Sequence, residues 1–261
     1  MINIDKNLFL NQTDNVTVVM SEGRGSGKTW LSQTLAHAIN LLGKRVLFVA
    51  ADNGTFGTDF QTNINQKLFL DEVVDSVCTL NQAIRSIRKK FDMVSVKAGS
   101  DLLENLPVGR LQLLGDDLCC IARHYDQVFL DVSNSKKVLH NFLPKKSNII
   151  LLCNNNPSSL VLAYKFLQEE IKISAPEKIK IVVNYATSYE DGRQTYNTLR
   201  KACEQYINYI PELLGIVRND PNVREAITKH SLFLTDYSSS PAAVDIMNIA
   251  EKLQKGEKNA A

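Results

Sequence analysis

VVMSEGRGSGKTWL, residues 18–31, runs from an apolar, β-rich stretch through a glycine-rich turn into a segment of helical character. Glycines free consecutive backbone N–H groups to wrap phosphates at a helix N-terminus; a following lysine adds a point charge, and a hydroxyl can reach magnesium. Gly25, Ser26, Gly27, Lys28, Thr29 and Trp30 are therefore the candidate nucleotide cradle, with Thr29 also a candidate metal ligand. The strict spacing G-x-x-x-x-G-K-[ST] is not met, because its first glycine falls on Glu22. An ordinary strand-to-helix connection is the competing reading, and the strand before and helix after the turn favour a phosphate loop.

Outward from this turn, leucine, alanine and isoleucine at positions 31, 35, 38, 39 and 42 mark one face of a helix over Thr29 to Leu42, with Gly43 as its stop. Short apolar runs recur at Val16 to Met20, Arg45 to Val49, Met93 to Lys97, Gln127 to Leu130, Asn148 to Cys153, Lys180 to Val183 and Leu214 to Val217. Strands apolar on both faces and separated by helical segments predict a doubly wound α/β fold, a mainly parallel sheet with helices on both faces. A closing helix is expected over Pro241 to Leu253, followed by a polar, frayed tail; residues 1–15 are the other expected flexible end. No repeat or linker interrupts the 261 residues, so one domain spanning 1–261 is expected.

The formal charge of +2 gives no strong nucleic-acid signal. The basic run Arg85-Ser86-Ile87-Arg88-Lys89-Lys90 reads as a solvated helix face. The five cysteines lack metal-binding spacing, and reduced thiols in a cytoplasmic protein are the simplest account. No secretory signal precedes the first strand, and no apolar run approaches the roughly 20 residues a bilayer-spanning helix needs.

Two carboxylates can serve the loop. Asp131 ends the apolar strand of YDQVFLDVSNSKK, residues 125–137, where a rigid support would place it beside a magnesium shell. Asp52 follows the second strand in LFVAADNGTFGTD, residues 47–59, and a carboxylate there faces the crevice beyond the strand ends. A turn or helix-cap role is the alternative for Asp52.

With these residues the chain resembles the MinD/ParA class of P-loop ATPases, whose deviant loop reads K-G-G-x-G-K-[ST]. The resemblance implies ATP and magnesium as cofactors, Lys28 on the phosphates, Thr29 and Asp131 on the metal, Asp52 orienting the attacking water, and Asn184 contacting the base. The family's signature lysine, which reaches across a dimer, corresponds to Gly23, with Arg24 displaced by one. Ala50 stands at the first aspartate of the family's D-x-D, Gly57 replaces an asparagine between Gly54 and Asp59, and Val132-Ser133-Asn134-Ser135 replaces T-x-A-G.

Residues 215–253 are similar to the C-terminal third of FlhG/FleN-type flagellar number regulators, through Asp220, Pro221, Val223, Arg224, Ala226 and the Ser240-Pro241-Ala242-Ala243 run. A protein partner of the flagellar or division-regulator type and an ATP-dependent homodimer are what this implies. Only MINIDKNLFLNQTDN precedes the first strand where FlhG-type proteins often carry a GTPase-activating helix. The tail lacks the pairing of basic and bulky apolar residues that a membrane-binding helix needs, which argues against membrane recruitment by this chain alone. Two functions stay open: an ATPase switch with weak or altered hydrolysis, and a degenerate scaffold that binds nucleotide or a partner without turnover.

Overall fold

The structure is a computed structural model and describes residues 14–21, 25–52, 68–133, 135–144, 146–172 and 179–258. Its elements follow in the order β1 Val16–Met20, α1 Lys28–Leu41, β2 Val46–Ala50, α2 Leu70–Val74, α3 Leu80–Ala83, β3 Arg85–Arg88 and β4 Phe91–Ser95. Then come α4 Leu102–Asn105, α5 Val108–Ala122, β5 Gln127–Asp131, α6 Lys136–Asn141, β6 Asn148–Cys153 and α7 Pro157–Glu170. The chain continues through β7 Ile179–Ala186, α8 Tyr189–Ile207, β8 Glu212–Arg218, α9 Pro221–Thr228, α10 Phe233–Asp236 and α11 Pro241–Lys258.

The strands form one eight-stranded sheet ordered β3-β4-β2-β5-β1-β6-β7-β8, parallel except where β3 pairs antiparallel with β4. Side chains alternate between two cores, as the pleat requires. Leu47, Val49, Val128 and Leu130 pack on one face with Leu111, Leu118, Leu167 and Leu199 from α5, α7 and α8. Val46, Phe48, Ala50 and Phe129 pack on the other with Leu31, Leu35 and Ile39 of α1 and Ala242, Ile246 and Ile249 of α11. Both faces are covered, so each inner strand needs apolar residues in sequence, and that pattern made the strands readable.

Helix α1 stops where the spacing places it. Gly43 has φ +90°, Gly43 N–H donates to Asn40 O at 2.8 Å, and Lys44 N–H reaches back to Ile39 O at 3.4 Å. A left-handed residue after the helix lets those N–H groups satisfy its last carbonyls, and glycine adopts that conformation without a Cβ penalty.

Three expectations change. The basic run is not a helix face: Arg85–Arg88 forms the edge strand β3, with Arg88, Lys89 and Lys90 exposed around its hairpin turn. Charge on an edge blocks pairing with another chain, which explains why this strand lacks the apolar signature of the others. Strands β7 and β8 are longer than their apolar centres, and α11 continues past Leu253 to Lys258. No helix among the described residues is long and apolar enough to cross a membrane.

One buried base ties β3 to the core. His37 of α1 is 1% exposed, stacks on Phe91 at 6.1 Å between ring centroids, and pairs through Nε2 with Arg88 Nη1. Burial, with help from the Arg88 charge, lowers its pKa to about 4 from 6.5. The unfolded chain therefore binds a proton between these values while the folded chain does not. Stability from this site is complete above pH 6.5 and falls as pH drops towards 4, by about 3 kcal/mol in all. Urea unfolding at pH 7.5 and 4.5 should show the wild type losing about 2 to 3 kcal/mol more than His37→Gln, which keeps an acceptor but does not titrate. Parallel losses in both proteins would contradict the assignment.

Candidate nucleotide site

The sheet reverses its winding around β1, which lies between β5 and β6, and the crevice beyond the strand ends at such a point is where doubly wound folds take ligands. Ser21 leaves β1 there, and its Oγ meets Ser26 Oγ at 2.5 Å. Asn184 Nδ2 donates to Ser26 O at 2.8 Å, so residues from β1 and β7 hold the loop from two sides. Gly25 and Gly27 take φ of +73° and +86°. A methyl on Gly27 would lie 2.5 Å from Asn184 Nδ2 and 2.9 Å from the Tyr185 hydroxyl, so conformation and space both demand glycine.

Helix α1 starts at Lys28, and its first backbone bond runs from Leu31 N–H to Gly27 O at 2.8 Å. The N–H groups of Lys28, Thr29 and Trp30 consequently have no partner within the helix. Among the described residues no side chain caps this end, and no acidic residue occupies its first turn. The positive end of the helix is left for an external anion.

Lys28 is almost buried, and its ammonium lies 2.5 Å from Asp52 Oδ2 and 3.4 Å from Asp131 Oδ1 while also donating to Val132 O. Register explains the meeting: Asp131 ends β5 opposite Val19 of β1 and Ala50 of β2, and Asp52 follows two residues after Ala50. Thr29 hydrogen-bonds to the Asp131 side chain. Burial pushes the Asp131 carboxyl above the usual carboxylate range; Lys28 and Thr29 pull against it, and Asp52 adds to the rise.

Buried Asp131 Oδ1 has no hydrogen-bond partner among the described residues. A buried carboxylate oxygen that makes no hydrogen bond and faces only the Lys28 ammonium at 3.4 Å, beside a threonine hydroxyl at the foot of a phosphate loop, fits a magnesium ion held by one or two protein groups with phosphate and water. Among the described residues no cluster of three or more His, Cys, Asp or Glu could hold a metal alone.

The structure thus brings together Gly25, Ser26, Gly27, Lys28, Thr29, Asp52, Asp131 and Asn184. Trp30 contributes its backbone to the helix end, while its ring packs edge-on against Phe233 at 5.4 Å. Glu22, Gly23 and Arg24 lie outside the described residues, as do Gly54, Gly57, Asp59 and Asn134. Two features escaped sequence reasoning. Tyr185 stands against Gly27, and Glu104 of α4 accepts from Ser133 Oγ, while its backbone carbonyl accepts from Lys137 Nζ at 2.7 Å. Neither has a local signal, because each contact joins segments distant in sequence.

A mainly parallel, doubly wound sheet whose first strand feeds a glycine loop and a lysine-led helix is the architecture of a P-loop NTPase of the MinD-like kind. The chain belongs to the family described as the CobQ/CobB/MinD/ParA nucleotide binding domain, whose profile matches residues 17–233. It is 22% identical over 242 residues to the antiactivator FleN of Pseudomonas aeruginosa, covering 90% of this chain and 85% of that protein. It is also 22% identical over 244 residues to the septum site-determining protein MinD of Bacillus subtilis, covering 90% and 88%.

Among solved structures, MinD of Pyrococcus horikoshii complexed with Mg-ADP superposes with a TM-score of 0.72 at 17% identity, covering 95% of this chain and 98% of that one. The MinC:MinD cell division protein complex of Aquifex aeolicus gives 0.68 at 17% identity, with 92% and 96% covered. These two likenesses bear on the fold.

Proposed function

We propose that this protein is a FlhG/MinD-like, nucleotide-dependent spatial regulator that binds ATP with magnesium in the cytoplasm and acts through a protein partner. The observation that carries the reading is the convergence of Lys28, Asp52 and Asp131 beneath a helix end that no described side chain caps. The loop N–H groups and Lys28 hold the polyphosphate, Asn184 supports the base side, and Thr29 and Asp131 hold the metal. Magnesium, when bound, offsets phosphate charge. Asp52 orients a water at the terminal phosphate, and hydrolysis is slow because the segment after Asp131 reads Val132-Ser133-Asn134-Ser135. A partner of the flagellar number or division-regulator type agrees with the similarity to FleN and MinD.

A second reading is a scaffold that binds nucleotide or a protein partner without turnover. Gly23 at the trans-acting lysine and Ser135 at the glycine of the switch favour it. Light scattering in magnesium ATP and in magnesium ADP separates the two: the switch predicts a doubled mass with ATP alone. An unchanged mass together with no phosphate release would support the scaffold.

A further inference from the structure

Five non-glycine residues among those described have positive φ: Ser76, Lys90, Tyr185, Asn208 and His230. Four stand in turns or at helix ends, whereas Tyr185, at φ +59°, lies inside β7. A bulky side chain in the left-handed region is strained, and such strain persists only where the surroundings impose it.

The cause is a bulge. Val183 of β7 pairs with Ile216 of β8, yet the next paired residue, Ala186, meets Arg218, so β7 spends one residue more than β8 over this interval. Asn184 and Tyr185 occupy the bulge and are turned to the loop. Bulges beside functional sites often re-aim a side chain in this way. Asn184 Nδ2 holds Ser26 O at 2.8 Å, and the Tyr185 hydroxyl and ring edge lie 2.9 and 3.4 Å from the position a Gly27 Cβ would take. Asn184 therefore holds Ser26 by a hydrogen bond, and Tyr185 fills the space where a side chain on the next residue, Gly27, would lie. Tyr185 is still 40% exposed, so packing in a core does not explain its conformation.

We infer that Tyr185 is a positioning residue of the phosphate loop, bracing Gly27 in its left-handed conformation so that the loop N–H groups stay turned to a bound polyphosphate. This rests on the nucleotide reading above. An unbraced loop must be ordered by the ligand itself, which weakens every ligand that uses the loop, with or without a base. Strain follows a different course: asparagine tolerates φ near +60° far better than tyrosine, so removing the ring should spare the fold.

The test is titration calorimetry of wild type, Tyr185→Asn and Tyr185→Phe with magnesium ATP and with magnesium tripolyphosphate, together with thermal midpoints. Tyr185→Asn should weaken both ligands about tenfold while its midpoint stays level or rises. Tyr185→Phe, which keeps the ring, should stay within about twofold of wild type. Loss of ATP binding alone would move Tyr185 to the base and overturn the inference. So would a phenylalanine variant as weak as the asparagine one, or a lowered midpoint with unchanged affinities. Wild type that binds neither ligand would overturn the nucleotide reading and the brace with it, whereas a responsive wild type with indifferent variants sinks the brace alone.

Discussion

Lys28→Ala should bind magnesium ATP about a hundredfold more weakly than wild type, a loss of about 3 kcal/mol. The ammonium is the cation at the centre of the site, with carboxylate oxygens at 2.5 and 3.4 Å. Its removal deletes a charge-assisted hydrogen bond, each worth about 1.5 to 3 kcal/mol, and leaves two carboxylates facing an incoming polyphosphate. The thermal midpoint should fall as well, because buried Asp131 loses its counter-ion and must take up a proton or stay charged in a site that opposes charge. Lys28→Arg should not restore binding, since a planar guanidinium needs more room than the nearly enclosed lysine occupies. Calorimetry on the three proteins checks this, and an alanine variant within about threefold of wild type would remove Lys28 from the phosphates.

Asp52→Ala should behave in the opposite way. ATP affinity should hold or improve a few-fold, while phosphate release falls by at least about a hundredfold, the usual scale for losing a positioned base. In the free protein Lys28 is clasped by Asp52, and an incoming phosphate must displace that carboxylate. Without Asp52 the lysine still has Asp131 and Val132 O, so it remains in place but is easier to recruit. Asp52 is also the more exposed carboxylate, with 24% of its side chain open against 2% for Asp131, as a group that must meet a water should be. An ATP-trapped dimer of Asp52→Ala in light scattering would mark the switch. Loss of ATP binding as severe as in Lys28→Ala would place Asp52 in binding and leave hydrolysis without its proposed orienting group.

What could be read from the sequence follows from how each feature is encoded. The inner strands announce themselves because both faces are buried and their centres are apolar on successive residues, most fully in VLFVA at 46–50. β3 is a four-residue edge strand, Arg-Ser-Ile-Arg, with no fully buried side chain and a single apolar residue, so its pairing with β4 had no apolar signature. Asp52 and Asp131 could be singled out because they stand just beyond and at strand ends, Lys28 because it follows the glycine turn at the start of a helix, and Asn184 through the family resemblance at the end of the apolar centre of β7. Tyr185 could not, because its contact with Gly27 depends on an extra residue in β7 relative to β8, a register no single strand records. The link between Glu104 and Ser133 joins residues 29 apart and is equally silent in sequence. The lead-in Glu22-Gly23-Arg24 lies outside the described residues.

The most direct test of the central claim, a working phosphate loop built on Lys28 and Asp131, is titration of the wild-type protein with magnesium ATP by calorimetry. Saturable binding is expected at one site per chain, tighter than about 1 mM and weakened when magnesium is chelated. No saturable heat at millimolar ATP, or binding indifferent to both magnesium and Lys28→Ala, would contradict it.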